Sequence, residues 1–217
     1  MTIDLEHVAS VGCVRLEDLT VVVDGSSLVV DAVAGALRSI GVGHVPRGAY
    51  AAEPARWAAR GHTPEGRSVD RRPHPVASAA VFVGSAPLAA SVAAPWWEAG
   101  IAHLPLLVGP EGVLIWPLVL PGLSSCTRCH ERTRAGRAPV TRAVGVPDAA
   151  TIHLAASLAA LMISRSLLGD HDLAGISSEV RERRPEVIHR HWARDPGCPA
   201  HPSGLLTPAG RAWTMGA

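Results

Sequence analysis

The chain has 217 residues, a formal charge of +1, 47% hydrophobic and 18% charged residues. That is enough apolar material to fill a core, and a single domain over residues 1–217 is expected. So small a charge gives no general attraction for nucleic acid or an anionic membrane, and neither is expected as a partner. All 20 basic residues are Arg, and Lys, Asn and Gln are absent, which excludes a Lys Schiff base, a phosphate-binding Lys and any amide side chain from the chemistry.

In chain order, the first residues lack the basic start and apolar run of a secretory signal, so a cytoplasmic protein is expected. Cys13 stands in an apolar context and reads as a core residue. Thr20–Asp24 is a short apolar run with the profile of a buried strand. The turn Asp24-Gly25-Ser26-Ser27 follows, with Ser26 or Ser27 placed to cap a helix. Val29, Val33, Ala36, Leu37 and Ile40 recur at helical spacing, Gly41 supplies the stop, and Val42–Val45 reads as a second strand. A β-α-β unit is therefore expected over residues 20–45.

Residues 61–75 show no periodicity and read as a loop. Ala79–Val83 is a further buried strand, followed by a turn at Gly84-Ser85 and a helix over 87–99 in which Trp96 and Trp97 are packing residues. Ile101–Val108 and Val113–Leu120 read as paired strands about Gly109-Pro110-Glu111-Gly112. Residues 132–146 look irregular, and Pro147-Asp148 opens a long helix to about Leu168. That helix is rich in Ala and Leu all round, which fits burial or a partner interface; His153, Ser157 and Arg165 argue against a membrane span. Arg181, Arg183 and Arg184 read as a solvated face, residues 187–192 alternate like an edge strand, and a tail begins at Pro202. The fold class expected is α/β, a Rossmann-like three-layer α/β/α arrangement with a mostly parallel sheet, an added antiparallel hairpin and a zinc-knuckle region.

Cys126-Thr127-Arg128-Cys129-His130 fits three chemistries. Covalent haem attachment is disfavoured because no export signal is present and the surroundings are strand-rich. A redox dithiol calls for a helix beginning at the motif, where the dipole lowers the first thiol's pKa, and no convincing amphipathic helix begins at Cys126. Zinc is favoured, because Cys198-Pro199-Ala200-His201 repeats the two-residue spacing. Cys126, Cys129, Cys198 and His201 would then form a closed structural Cys3His site, with 121–135 and 187–201 as its subregions; His130, His189 and His191 stay open as alternatives to His201. No Ser-His-Asp, paired-carboxylate or nucleophile-elbow pattern stands out, and Glu53, Glu98 and Glu111 are isolated.

Pro121-Gly122 three residues before the paired cysteines, with a late Cys-containing knuckle after a β-α-β start, resembles the adenylating superfamily of ubiquitin-activating enzymes and the ThiF and MoeB proteins. More narrowly it is similar to the ThiF-like partner proteins of azoline-forming peptide cyclodehydratases, over roughly residues 18–201, with His201 where a Cys is common. The resemblance implies a Gly-rich turn for phosphates, an acid for ribose, basic groups for phosphate charge and an Asp for magnesium. Here the turn is Asp24-Gly25-Ser26-Ser27, the ribose position reads Pro46-Arg47-Gly48, and Gly84-Ser85-Ala86 stands where the magnesium ligand is expected. An acid at that turn opposes phosphate at a helix N-terminus.

The expectation is a degenerate member that keeps the fold and structural Zn2+ but does not use ATP. It would act as a non-catalytic scaffold for a protein or peptide partner, homodimeric or within a complex, in peptide modification or regulation. With so few residues before the first strand, a separate leader-binding module is not expected. The rival expectation is a carboxylate-adenylating enzyme with phosphate contacts from Arg38, Arg47 or Arg132.

Overall fold

A computed structural model describes residues 14–53, 77–134, 145–182 and 186–201. After a 3-10 turn at Leu16–Asp18 come β1 (Val21–Asp24), α1 (Leu28–Ser39), β2 (Arg47–Gly48), β3 (Ala79–Gly84), α2 (Ala90–Glu98), β4 (Ala102–Gly109) and β5 (Gly112–Ile115). Then follow α3 (Thr127–Arg134), α4 (Ala149–Leu167), β6 (Ile176–Arg181) and β7 (Val187–His191). One seven-stranded sheet runs β2-β1-β3-β4-β5-β6-β7. β2, β1, β3 and β4 pair in parallel, whereas β4 to β7 pair antiparallel.

The side-chain alternation of the central strands builds the two faces. Val21, Val23, Ala79 and Val81 point to one face, where they meet Val29, Val33 and Leu37 of α1 and Ile152, Ala155 and Ile163 of α4. Val22, Ala80 and Phe82 point to the other, against Trp96 of α2, whose ring meets Phe82 edge-on at 5.5 Å. Helices therefore cover both faces and the three-layer α/β/α class holds. α4 starts where expected: the Asp148 carboxylate accepts from the Thr151 N–H at 2.7 Å, an N-cap. By length and composition α4 could cross a membrane, and 56% of its apolar window is buried inside the fold.

Four expectations are corrected. The second strand of the β-α-β unit lies later than Val42–Val45: the ladder to β1 begins at His44, whose carbonyl accepts from Val21, and its regular part is Arg47–Gly48. Pro46 has no N–H to give, yet its carbonyl accepts from Val23, so the ladder continues through it. β5 stops at Ile115 rather than Leu120, because Pro117 cannot donate; Leu118 and Val119 resume as single bridges to Ala174 and His103. A helix, α3, does begin directly after Cys126, and residues 132–134 belong to it. Ile176–Arg181, read as no element, is a strand whose buried Ser177 and Ser178 hydroxyls bond Trp192 Nε1 at 2.9 Å and His189 Nδ1 at 2.8 Å. The expected loop at 61–75, the tail from Pro202 and Cys13 lie outside the described residues.

Candidate metal centre and the cavity at the strand ends

Cys126 closes the turn after Pro121-Gly122, and Cys129 stands one turn into α3, so the two sulfurs emerge on one side of the helix start. The loop after β7 brings Cys198 and His201 to the same place. The ligand atoms of Cys126, Cys129, Cys198 and His201 all lie within 4.8 Å of one another. Cys126 Sγ is 3.6 Å from Cys198 Sγ and 3.7 Å from Cys129 Sγ. Four ligands around zinc with bonds near ~2.3 Å place sulfurs roughly 3.7 Å apart, whereas a disulfide needs about 2 Å. The three cysteines are buried, and His201 Nε2 is a buried nitrogen with no hydrogen-bond partner. A buried imidazole nitrogen lacking a partner is costly, and coordination would satisfy it. The donor set therefore fits a divalent ion such as zinc.

The three alternative histidines are directed elsewhere. His130 Nε2 bonds the Ser125 hydroxyl at 2.9 Å, and its ring packs against both Trp116 and Trp192. His189 bonds Ser178, and His191 is exposed on the edge strand. Neither they nor His130 join the thiol group, which among the described residues is completed by His201.

The electrostatics argue against a reactive dithiol, even though α3 now supplies the helix that such chemistry wants. Burial first, then the neighbouring Cys129 charge, pushes the Cys126 thiol up to about 12. Such a thiol keeps its proton until a cation displaces it. His201 is held below its ordinary range by burial and then by the Arg194 charge, which keeps the neutral, ligating form. His103, buried in β4 beside this region, is pushed down to about 4 by burial, as is His130.

A different environment occupies the carboxyl ends of the parallel strands, where α/β folds ordinarily bind ligands. A cavity of about 340 Å³ is lined there by Asp24, Tyr50, Glu53, Phe82, Gly84, Trp96 and Trp116, among others. Asp24 Oδ2 accepts from the Ala52 N–H at 2.7 Å. Gly25 has φ +139°, and a Cβ there would stand 2.5 Å from the Val83 carbonyl, so the turn closes tightly on β3. Ser27 holds the N-cap position of α1, but neither it nor Ser26 makes a side-chain cap bond. No basic residue lines the cavity among the described residues.

The three arginines open to phosphate contacts are engaged elsewhere. Arg38 donates to the Val45 carbonyl at 2.7 Å, Arg47 pairs with Asp31 at 2.7 Å, and Arg132 pairs with Asp195.

The sequence matches no protein-family model and no curated protein. Solved structures do share the fold. The heterocyclase TruD superposes with a TM-score of 0.57 at 17% identity, over 85% of this chain and 27% of TruD. E. coli MccB with MccA gives 0.58 at 15% identity, over 85% of this chain and 67% of MccB. E. coli MccB with ATP gives 0.54 at 15% identity, over 85% and 66%. This chain thus spans about a quarter of the length of TruD. At such identities the relationship is distant and structural: the chain shares an architecture with TruD and MccB.

Proposed function

We propose that this chain is a metal-stabilised scaffold of the ThiF-like architecture that engages a peptide or protein during peptide modification and does not itself activate ATP. The observation that carries this reading is the charge of the strand-end cavity. Asp24 and Glu53 stand on its wall, no arginine lines it among the described residues, and Arg38, Arg47 and Arg132 are tied to other groups. Nucleotidyl transfer needs cationic or metal-held compensation for developing phosphate charge, and two carboxylates supply the opposite sign. The peptide side of the reading is supported by the shared fold with the heterocyclase TruD and with MccB in its MccA complex. Zinc bound by Cys126, Cys129, Cys198 and His201 would act structurally, since the four ligands fill a tetrahedral shell and leave no open position. A cytoplasmic location, a single domain over 1–217, and a homodimer or a place in a complex belong to the same proposal.

The rival reading, an adenylating enzyme, draws on the shared fold with MccB in its ATP complex. Equilibrium binding of labelled ATP separates the two, with pyrophosphate exchange in the presence of magnesium as the second arm. No micromolar binding and no exchange are expected. Micromolar ATP binding that is lost on Arg47→Ala would establish the rival and remove the scaffold reading.

A further inference from the structure

One residue outside the four-ligand set has all its polar groups committed to joining the two knuckles. The Asp195 N–H donates to Cys129 Sγ at 3.4 Å, so it reaches a sulfur of the first knuckle directly. Its carbonyl accepts from the Cys198 N–H at 3.0 Å, and its Oδ1 accepts from the Gly197 N–H at 2.8 Å, which together fold the turn that presents the second knuckle. Its Oδ2 pairs with Arg132, which lies on α3 three residues after Cys129. Gly197 sits beneath that pair: a Cβ there would stand 3.1 Å from Arg132 Nη2 and 3.4 Å from Asp195 Oδ1. The chain is held once more on the far side, where the Arg194 guanidinium donates to the Gly122 carbonyl.

The geometry points to Asp195 and Arg132 as positioning residues of the metal centre, which set the two knuckles in register before an ion arrives. The physical reason is that Cys126 and Cys198 are far apart along the chain, so their meeting costs loop-closure entropy. The sheet and its helices meet most of that cost, and the Asp195 turn clamped to α3 then fixes how the two knuckles sit against each other, so the ion binds an ordered site. The N–H on Cys129 Sγ adds a bond that strengthens as the sulfur becomes a thiolate. This inference rests on the metal reading above.

The test uses the full chain and zinc itself, with affinity measured by competition against a chromogenic chelator. Arg132→Ala and Asp195→Asn are each expected to weaken zinc binding by up to about 10-fold, the low end of the cost of losing an outer partner, because the Asp195 N–H on Cys129 Sγ remains. Their far-ultraviolet circular dichroism at saturating zinc should stay that of wild type. Arg132→Lys should recover part of the loss, and the double variant should be no weaker than the worse single one, because the two act as one pair. With cobalt in place of zinc, the thiolate-to-metal absorption of the variants should shift, a change that a loss of general stability would not produce. Gly197→Ala gives a variant that keeps both charged residues and should also weaken binding.

Wild-type protein that takes up no stoichiometric metal would remove the metal reading itself. Wild type that binds zinc while all variants bind with equal affinity and an unchanged cobalt spectrum would overturn only the positioning roles.

Discussion

Two neighbouring regions of the molecule, the strand-end cavity and the four-ligand cluster, combine backbone and side chains in opposite ways. At the carboxyl ends of β1 and β3 a tight Gly25 turn leads into α1 beside a cavity of about 340 Å³. The side chains there are acidic and aromatic, and the nearby cations serve local structure. Beside α3 the reverse holds. The backbone is irregular, yet four soft or borderline donors converge and an outer residue braces them. The cavity joins a tight turn to acidic and aromatic walls; the cluster joins an irregular backbone to a complete donor set. A metal centre lost from this chain should therefore cost far more than any change to the cavity.

The largest effect should come from the donors. Cys198→Ala is expected to abolish stoichiometric zinc, measured by elemental analysis, and to remove the stabilisation that bound metal provides. That term is about 4 kcal/mol when free metal stands at ~1,000 times its Kd, and it should appear in calorimetry as a lower Tm. An unchanged Tm and metal content would erase the contrast between the two regions.

Next is Gly25→Ala at the cavity end. A φ of +139° and a Cβ 2.5 Å from the Val83 carbonyl predict a loss of about 1–3 kcal/mol in denaturant unfolding. A neutral result would mean that the turn is not closed on β3 as described.

The third concerns His103, whose folded pKa is about 4 against an ordinary 6.5. As pH falls below 6.5 the unfolded chain takes up a proton that the buried ring refuses, so stability falls between pH 6.5 and 4 and levels off below. The slope for one such group approaches about 1.4 kcal/mol per pH unit. In His103→Leu this part of the slope should vanish; a slope identical to wild type would rule the residue out as its source.

The smallest is Arg47→Ala. The Arg47–Asp31 pair is 44% and 62% exposed, so its loss should change stability by less than about 1 kcal/mol. The same variant should give the same result as wild type in the labelled-ATP binding measurement.

Much of the architecture was legible because it rests on local patterns. β1, α1, β3, α2 and α4 were readable because continuous apolar runs, the 3.6-residue spacing of Val29, Val33 and Leu37, and the Asp148 cap are local features. β6 escaped notice because Ile-Ser-Ser-Glu-Val-Arg has little apolar content; its strand is set by the ladders to β5 and β7, with His189 of β7 and Trp192 just after it bonding Ser178 and Ser177. α3 escaped for a similar reason: Thr127–Arg134 is a polar run whose buried side, Thr127, Cys129 and His130, carries no large aliphatic residue. The shift of β2 past Pro46 turned on which carbonyls β1 could use, which no propensity shows.

By itself the sequence determined the spacing of the two knuckles, the absence of Lys, Asn and Gln, and the acidic residue in the first turn, because each is a matter of covalent order. Only the tertiary structure decided that Cys126 and Cys198 stand 3.6 Å apart, that His201 rather than His130, His189 or His191 lies with them, and that Arg38, Arg47 and Arg132 are engaged away from the cavity. The reason is physical: a ligand shell and a charge balance are sums over atoms close in space. The chain brings residues 72 positions apart into contact only when the sheet and its helices have closed around them.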